Sequence, residues 1–120
     1  MRGVNRVVLV GRLGEDPQSK QFDSGRQLTT FSVATAESWK DIRTGERVLR
    51  TQWHRVVSWD NGAKMAAEYL SKGQEVCVEG RLKTRKWQDR EGKDHSRTEI
   101  VADAITFLTE RSPHRIEAMN

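Results

Sequence analysis

Trp53, Arg55 and Trp59 stand at alternate positions of one β-branched, aromatic segment, Val48 to Trp59. Arg81, Lys83, Arg85 and Trp87 do the same in a second segment, Glu75 to Trp87. A period of two places such residues on one face of a strand. An indole offers a large flat π-face, and the guanidinium or ammonium beside it offers charge for an anion. A ligand in which flat rings alternate with anionic groups suits that pairing, and an unpaired nucleotide strand is such a ligand: every base has a π-face to stack and every linkage a phosphate to hold. A duplex hides its base faces and gains little from exposed indoles. The plainer reading of a tryptophan is packing in a core or an interface. A charged stripe ending in Trp87 speaks against it there, and the shared parity of Trp53 and Trp59 predicts one common environment for both.

The charge is concentrated where these rings are. Arg81 to Arg97 holds seven basic and three acidic residues, a net of +4, equal to the excess of the whole 120-residue chain. Positive charge attracts polyanions in general; its gathering into one strand and one loop is the sharper signal. The fourth tryptophan, Trp39, lies in Ala36-Glu37-Ser38-Trp39-Lys40, where a strand enters a loop. Alternation puts it with Phe31 and Val33 on the core side, so a twist or break near Ser38 would be needed to turn it outward.

Little in the chain points to catalysis. His54, His95 and His114 fall on separate segments, and Cys77, the single cysteine, forms no zinc-binding cluster with them. Gly11-Arg12-Leu13-Gly14 lacks the length and the lysine of a phosphate loop. A Cys77–His54 pair on adjacent strands is the one nucleophile-and-base arrangement in sight, and packing or subunit contact is the simpler role for both. The expectation is a binding protein with no catalytic residue, metal or cofactor. No apolar run approaches the roughly 20 residues that span a bilayer, so no membrane partner is expected. Met1 to Asn5 leads straight into a strand-like segment and does not read as a signal peptide. One cysteine leaves no internal disulfide, which favours a reducing, cytoplasmic setting.

The elements that must position these residues follow from pattern and punctuation. Val4 to Leu13 reads as a strand interrupted by Gly11 and ended by the turn Gly14-Glu15-Asp16-Pro17. A polar segment with a Ser24-Gly25 turn leads to a half-buried strand, Gln27 to Ala36, and Lys40 to Glu46 is an exposed loop. After the strand Val48 to Trp59, Ala63, Ala66, Ala67 and Leu70 take the spacing of an apolar helical stripe. Asp60 or Asn61 is placed to cap that helix and Lys72-Gly73 to close it. In Glu75 to Trp87, Val76, Val78, Gly80 and Leu82 have inward parity, and Cys77 and Glu79 join the basic residues outside. Asp89 to His95 is a charged hairpin loop, and Arg97 to Leu108 the last strand. Three strands, a helix and two strands is the order of an OB-fold: all-β with one helix, a five-stranded Greek-key barrel that binds oligonucleotides across one face. Residues 1–108 make one domain, and residues 109–120 read as a short tail without a clear period.

Several runs resemble the bacterial single-stranded DNA-binding proteins. They are Arg2-Gly3-Val4-Asn5-Arg6-Val7 with Leu9-Val10-Gly11-Arg12-Leu13-Gly14 and Asp16-Pro17, Ala34-Thr35 with Glu37-Ser38-Trp39, Trp53-His54-Arg55-Val56-Val57, Glu68-Tyr69-Leu70 with Lys72-Gly73, and Glu79-Gly80 with Thr84-Arg85-Lys86-Trp87. The match spans about residues 2–108 in order. It implies sequence-independent binding and protection of single-stranded DNA in replication, recombination and repair, by a cytoplasmic homotetramer built as a dimer of dimers. It makes Trp39, Trp53, Trp59 and Trp87 the stacking aromatics, which places Trp39 outward by resemblance alone. Lys72, Arg85 and Lys86 match basic positions that approach phosphates. Asn5 and His54 match positions at subunit contacts, and Cys77 stands where a tyrosine is common beside such a contact. The family usually carries a Gly/Gln/Pro-rich linker and an acidic, apolar tip that recruits replication and repair proteins. Ser112 to Asn120 matches no such tip, so recruitment by that route is not expected. Two other readings of the same fold are an adaptor that binds replication-restart proteins more than DNA, and an RNA-binding domain of the cold-shock kind.

Overall fold

The computed structural model describes residues 2–108 and 115–117. In chain order the elements are β1 (Val7–Leu13), β2 (Gln18–Gln21), β3 (Gln27–Lys40), β4 (Arg47–Trp59), α1 (Asp60–Tyr69), β5 (Glu75–Gln88), β6 (Asp94–Phe107) and β7 (Arg115–Glu117). Five strands run β1-β5-β6-β4-β3, and β3 returns to β1 through Arg12↔Ala34 and Leu13↔Val33, so the sheet closes. The β4–β6 pair is parallel, through Val56↔Ile100 and Val57↔Val101; the other pairs are antiparallel. This is the closed five-stranded barrel with one helix of the OB-fold.

Alternation explains how the barrel fills. Phe31, Val33, Val56, Val76, Val78, Ile100, Ile105 and Phe107 all point inward and form one buried cluster. Helix α1 closes the barrel by adding Ala66 and Leu70 to that cluster, with Met65 packed against it. Its buried face is Gly62, Ala63, Ala66 and Leu70, whereas Ala67, expected on the stripe, is exposed. The helix is docked by a polar contact as well: Thr29 Oγ1 donates to the Ala63 carbonyl at 2.7 Å. Neither Asp60 nor Asn61 caps the helix. Trp59 holds the N-cap position without a side-chain bond, and the Asp60 carboxylate is engaged by Arg26 at 2.9 Å. Past the helix, Gly73 adopts a positive φ of 88° and donates to the Leu13 carbonyl, which steers the chain back onto the barrel.

Two hairpins run on beyond the barrel. Every residue of β3 from Glu37, and of β5 from Arg81, is exposed. The radius of gyration, 16.7 Å, accordingly exceeds the about 14 Å of a compact chain of this length. In the β5–β6 pair the departure begins at a bulge: Glu79 faces Ala104 but Gly80 faces Ala102, so Asp103 is the extra residue. Gly80 is required here, because a Cβ at this position would sit 2.1 Å from the Val101 carbonyl oxygen. Leu82, inward by parity, is nevertheless 48% exposed, since the barrel no longer lies beneath it. The Asn5 side chain braces this departure. Its amide donates to the Leu82 carbonyl at 2.8 Å and accepts from the Leu82 N–H at 2.9 Å.

Other differences from the sequence reading are local. The first strand starts at Val7 instead of Val4. Strand β3 continues to Lys40 without the expected exit at Ala36. Strand β2 was not anticipated; its four residues are polar and exposed, so no alternation marks it. The tail expected over 109–120 lies outside the described residues except for Arg115–Glu117, which pair with Ala104–Thr106 of β6. The region compared above with an acidic tip is otherwise outside them.

The bulge yields a test. Gly80→Ala forces the Val101 backbone to move and should destabilise the chain by about 1–3 kcal/mol, as overpacking does. A urea denaturation midpoint unchanged from the parent would show that the close approach is not real.

Candidate nucleic-acid interface

The parallel β4–β6 pair decides which side chains share the outer surface. Val56 and Ile100 are opposite each other and both point into the core, so Arg55, Val57 and Trp59 point out, as do Glu99 and Val101. In β5 the register Arg81↔Val101, Lys83↔Glu99, Arg85↔Arg97 and Trp87↔His95 puts the basic stripe and Trp87 on that same surface. The two sequence segments singled out for chemistry therefore face one way, with β6 between them.

Each indole sits in its own setting. Trp53 is 62% exposed and lies opposite Ala34. Its ring lies so close to Gly14 that a Cβ there would come within 2.3 Å of Cζ3. Any side chain at position 14 would displace the ring. Trp59 is half-buried, stacked on Phe22 at a centroid distance of 5.9 Å and an interplanar angle of 24°. The Arg26 guanidinium lies 4.4 Å from the Trp59 ring centre and is tied to Asp60. That hydrogen bond holds the Asp60 carboxyl below the usual aspartate range. Trp87 stacks on its cross-strand neighbour His95 at 5.5 Å and 19°, with the Arg85 guanidinium 5.1 Å from its ring centre. His95 Nε2 in turn bonds Asp89 at 2.8 Å.

Between the indoles runs a chain of charge. Glu99 Oε2 accepts from Arg55 Nε at 2.6 Å and pairs with Arg85 Nη2 at 3.6 Å. Arg81 pairs with Asp103 at 2.9 Å. One cleft beside Arg55 and Arg85 is floored by Leu28 and Thr30 and edged by Lys20 and Phe22. A second lies among Trp59, Arg26, Arg81 and Lys83. The surface thus sets the indoles and guanidiniums of β4 and β5 on either side of Glu99 of β6, with Trp53 the open ring and Trp59 and Trp87 each stacked on a neighbouring ring.

The remaining expected residues fall elsewhere. Trp39 is 40% exposed, with Arg50 5.5 Å from its ring centre. No break at Ser38 turns it out: β3 pairs with β4 continuously from Leu28↔Trp59 to Lys40↔Arg47. It keeps the parity of Val33 and is open because the hairpin has left the barrel. Trp53 has the other parity, so the two indoles lie on opposite faces of the β3–β4 ribbon. Lys86 pairs with Ser96 and points away from the face that carries Arg85 and Trp87. The Lys72 N–H binds the Asp16 carboxylate at 2.8 Å, which puts Lys72 beside the turn that supports Trp53. The three subunit-contact candidates have different local settings. His54 bonds Thr35 Oγ1 at 2.8 Å on the inward parity of β4, Cys77 faces Val10 on the outer side of β1 and β5, and Asn5 is bound to Leu82.

Sequence reasoning missed Phe22, Arg26 and Glu99. Phe22 is a lone aromatic between Lys20 and Arg26 in a stretch read as polar turn, and that isolation was its only signal. Glu99 is an acid at the outward parity of the last strand, facing a basic one. Among the described residues no cluster of histidine, cysteine and carboxylate could hold a metal, and no helix is long and apolar enough to cross a membrane.

Residues 4–108 match the single-strand binding protein family. The chain belongs to that family. Among solved members, it is 35% identical to the Plasmodium falciparum SSB in a complex with ssDNA, with a TM-score of 0.75, covering 99% of this chain and 98% of that one. It is 31% identical, with a TM-score of 0.78, to a deletion mutant of the single-stranded DNA binding protein from Thermus aquaticus, covering 92% of this chain and 53% of that one. The family match begins before Asn5 and ends just after β6, so it takes in the barrel and both projecting hairpins.

The hairpin tip of this family member has a pH signature. The His95 bond, helped by the Lys93 and Glu91 N–H groups, holds the Asp89 carboxyl below its ordinary range. A lowered folded-state value means the bond contributes above the ordinary aspartate range, near pH 4, and is lost as pH falls through the lowered value. Trp87 emission, read with the other three tryptophans replaced by phenylalanine, should shift in that acidic window. The Asp89→Asn form should show no such transition.

Proposed function

We propose that this chain binds single-stranded DNA without regard to sequence, and so coats and protects it during replication, recombination and repair. The observation that carries this reading is the shared outward face of Trp53, Arg55 and Trp59 on β4 and Arg81, Lys83, Arg85 and Trp87 on β5. Bases stack on Trp53, Trp59 and Trp87, and Trp39 serves the same strand from the other face of its hairpin. Arg55, Arg81, Lys83 and Arg85 hold phosphates, with Lys72 at the Trp53 end. The role is equilibrium binding, with no bond made or broken. The Plasmodium falciparum relative, described in complex with ssDNA, supports this ligand over RNA.

Assembly is part of the proposal. Strand β1 pairs with β5 along Val7–Arg12 but with β3 only at Arg12 and Leu13. Val8 and Val10 on it are 58% and 55% exposed, beside Cys77. An apolar, half-paired strand is a surface that a second copy can cover. On this reading the second copy docks on β1 and the working form is a homotetramer, a dimer of dimers; the single cysteine is in keeping with a reducing, cytoplasmic setting.

Titration with oligo(dT) should quench the tryptophan fluorescence strongly, and affinity should fall as salt rises. An absence of quenching at low salt would sink the reading, and tighter binding to a matched RNA would replace it with the RNA alternative. Trp53→Ala should weaken binding by about 1–3 kcal/mol, the value of one stacked base. Arg85→Ala should weaken it clearly more than Lys86→Ala, because only Arg85 shares the aromatic face; equal effects would contradict the assigned faces. Light scattering should give the mass of four chains, and Val10→Glu a smaller one.

A further inference from the structure

A carboxylate stands in the middle of the cationic surface. The Glu99 side chain is only 9% exposed, yet it belongs to the outward parity of β6. By charge count alone it opposes a polyanion. It is also expensive to desolvate unless paired and hydrogen-bonded. Its pairing is specific: one oxygen, Oε2, takes Arg55 from β4 at 2.6 Å and Arg85 from β5 at 3.6 Å. The Arg55 contact uses Nε, which leaves both terminal amino groups of that guanidinium for a ligand, and Arg55 lines the cleft described above. Arg85 lines the same cleft and lies near the Trp87 ring. Glu99 thereby holds Arg55 by a charge-assisted hydrogen bond and draws Arg85, beside the Trp87 ring, into a looser ion pair.

We propose that Glu99 is a positioning residue for single-stranded DNA: it pre-orients Arg55 and Arg85 as a paired phosphate clamp, and this outweighs the repulsion its charge exerts on the ligand. The proposal rests on the function proposed above. Its physical basis is the entropy of long side chains. A free arginine surrenders much rotamer freedom when it grips a phosphate. An arginine already held at Nε surrenders less, and its planar fork is presented ready for two parallel bonds. Glu99 also screens Arg55 from Arg85, two like charges that must sit close together in the empty protein. The contribution of a fixed clamp and the cost of an added negative charge have opposite signs, so one substitution separates them.

The test uses the full chain. Glu99→Gln keeps the shape but replaces the carboxylate by a neutral amide, which abolishes the ion pair to Arg85 and strips the charge from the bond to Arg55, while raising the net charge by one. Fluorescence titrations with a dT oligonucleotide over a range of salt concentrations compare it with the parent. If Glu99 positions the clamp, binding weakens by roughly tenfold or more at low salt. The magnitude of the log affinity against log salt slope also falls, by about 0.7 for each phosphate of the single strand that the protein no longer neutralises. A role confined to folding would not change that slope. If Glu99 is merely a repulsive charge, Glu99→Gln binds as tightly as the parent or tighter, and the proposal is overturned. Arg55→Lys, which keeps the charge but has no Nε–H to hold, covers the case in which the glutamine form does not fold. It should weaken binding to a similar degree, and unchanged affinity overturns the proposal equally. A parent that does not bind dT at all is a different result: it removes the function itself, whatever Glu99 does.

Discussion

The parallel pairing of β4 with β6 is the constraint on which the surface depends. Setting Val56 opposite Ile100 in the core leaves no freedom in what lies outside: Arg55 must neighbour Glu99, and Val57 must neighbour Val101. A slip of one residue would invert every side chain of the strand, burying Arg55 and Trp53 and exposing Val56. The apolar core therefore does more than stabilise the barrel. It sets the phase in which indoles and guanidiniums emerge, and β5 is locked to the same phase through β6. A chemical surface spread over three strands is held in register by side chains that never touch solvent.

The projecting hairpins trade burial for reach. Within the barrel each strand has an inside, and alternation separates core from surface. On β5 past Gly80 and on β3 past Ala36 side chains of both parities are exposed in the single chain, while Glu99 and Ile100, across from Lys83 and Leu82, are the last buried residues of β6. Stability there comes from cross-strand contacts instead: Thr84 with Thr98, Gln88 with Asp94, and Trp87 on His95. Such pairs contribute modestly each. The bulge at Gly80 and the Asn5 brace on Leu82 mark the place where one regime gives way to the other.

The same boundary divides what could be read from the sequence from what could not. Inside the barrel a period of two was sufficient: Val76 and Val78, Phe31 and Val33, and the shared face of Trp53, Arg55 and Trp59 all follow from it. Outside, parity still gives the face but no longer gives burial, which is why Leu82 is open and why Trp39 needed no break to be exposed. Ala67 failed for a related reason, since a short helix on a barrel end buries a narrow stripe and Gly62 takes the place on it. Strand β2 carries no apolar residue to show its period. Glu99 and Arg26 were missed because their importance lies in partners distant in sequence, Arg55 and Arg85 for one, Trp59 and Asp60 for the other. Motif resemblance supplied Trp39, Lys72 and Lys86; the geometry puts Trp39 and Lys86 on the opposite parity from the face that alternation had assembled, and Lys72 beside the turn at its Trp53 end.

The opposite facing of Trp39 and Trp53 has a geometric consequence. Both belong to one ribbon, and a β-ribbon is only two strands, about 5 Å between strand axes, in width. A flexible polymer in contact with both rings has to pass round the ribbon's edge instead of lying along it. The stretch of ligand engaged is then set by contour length around a solid body, and it exceeds the footprint that any single view of the protein would suggest.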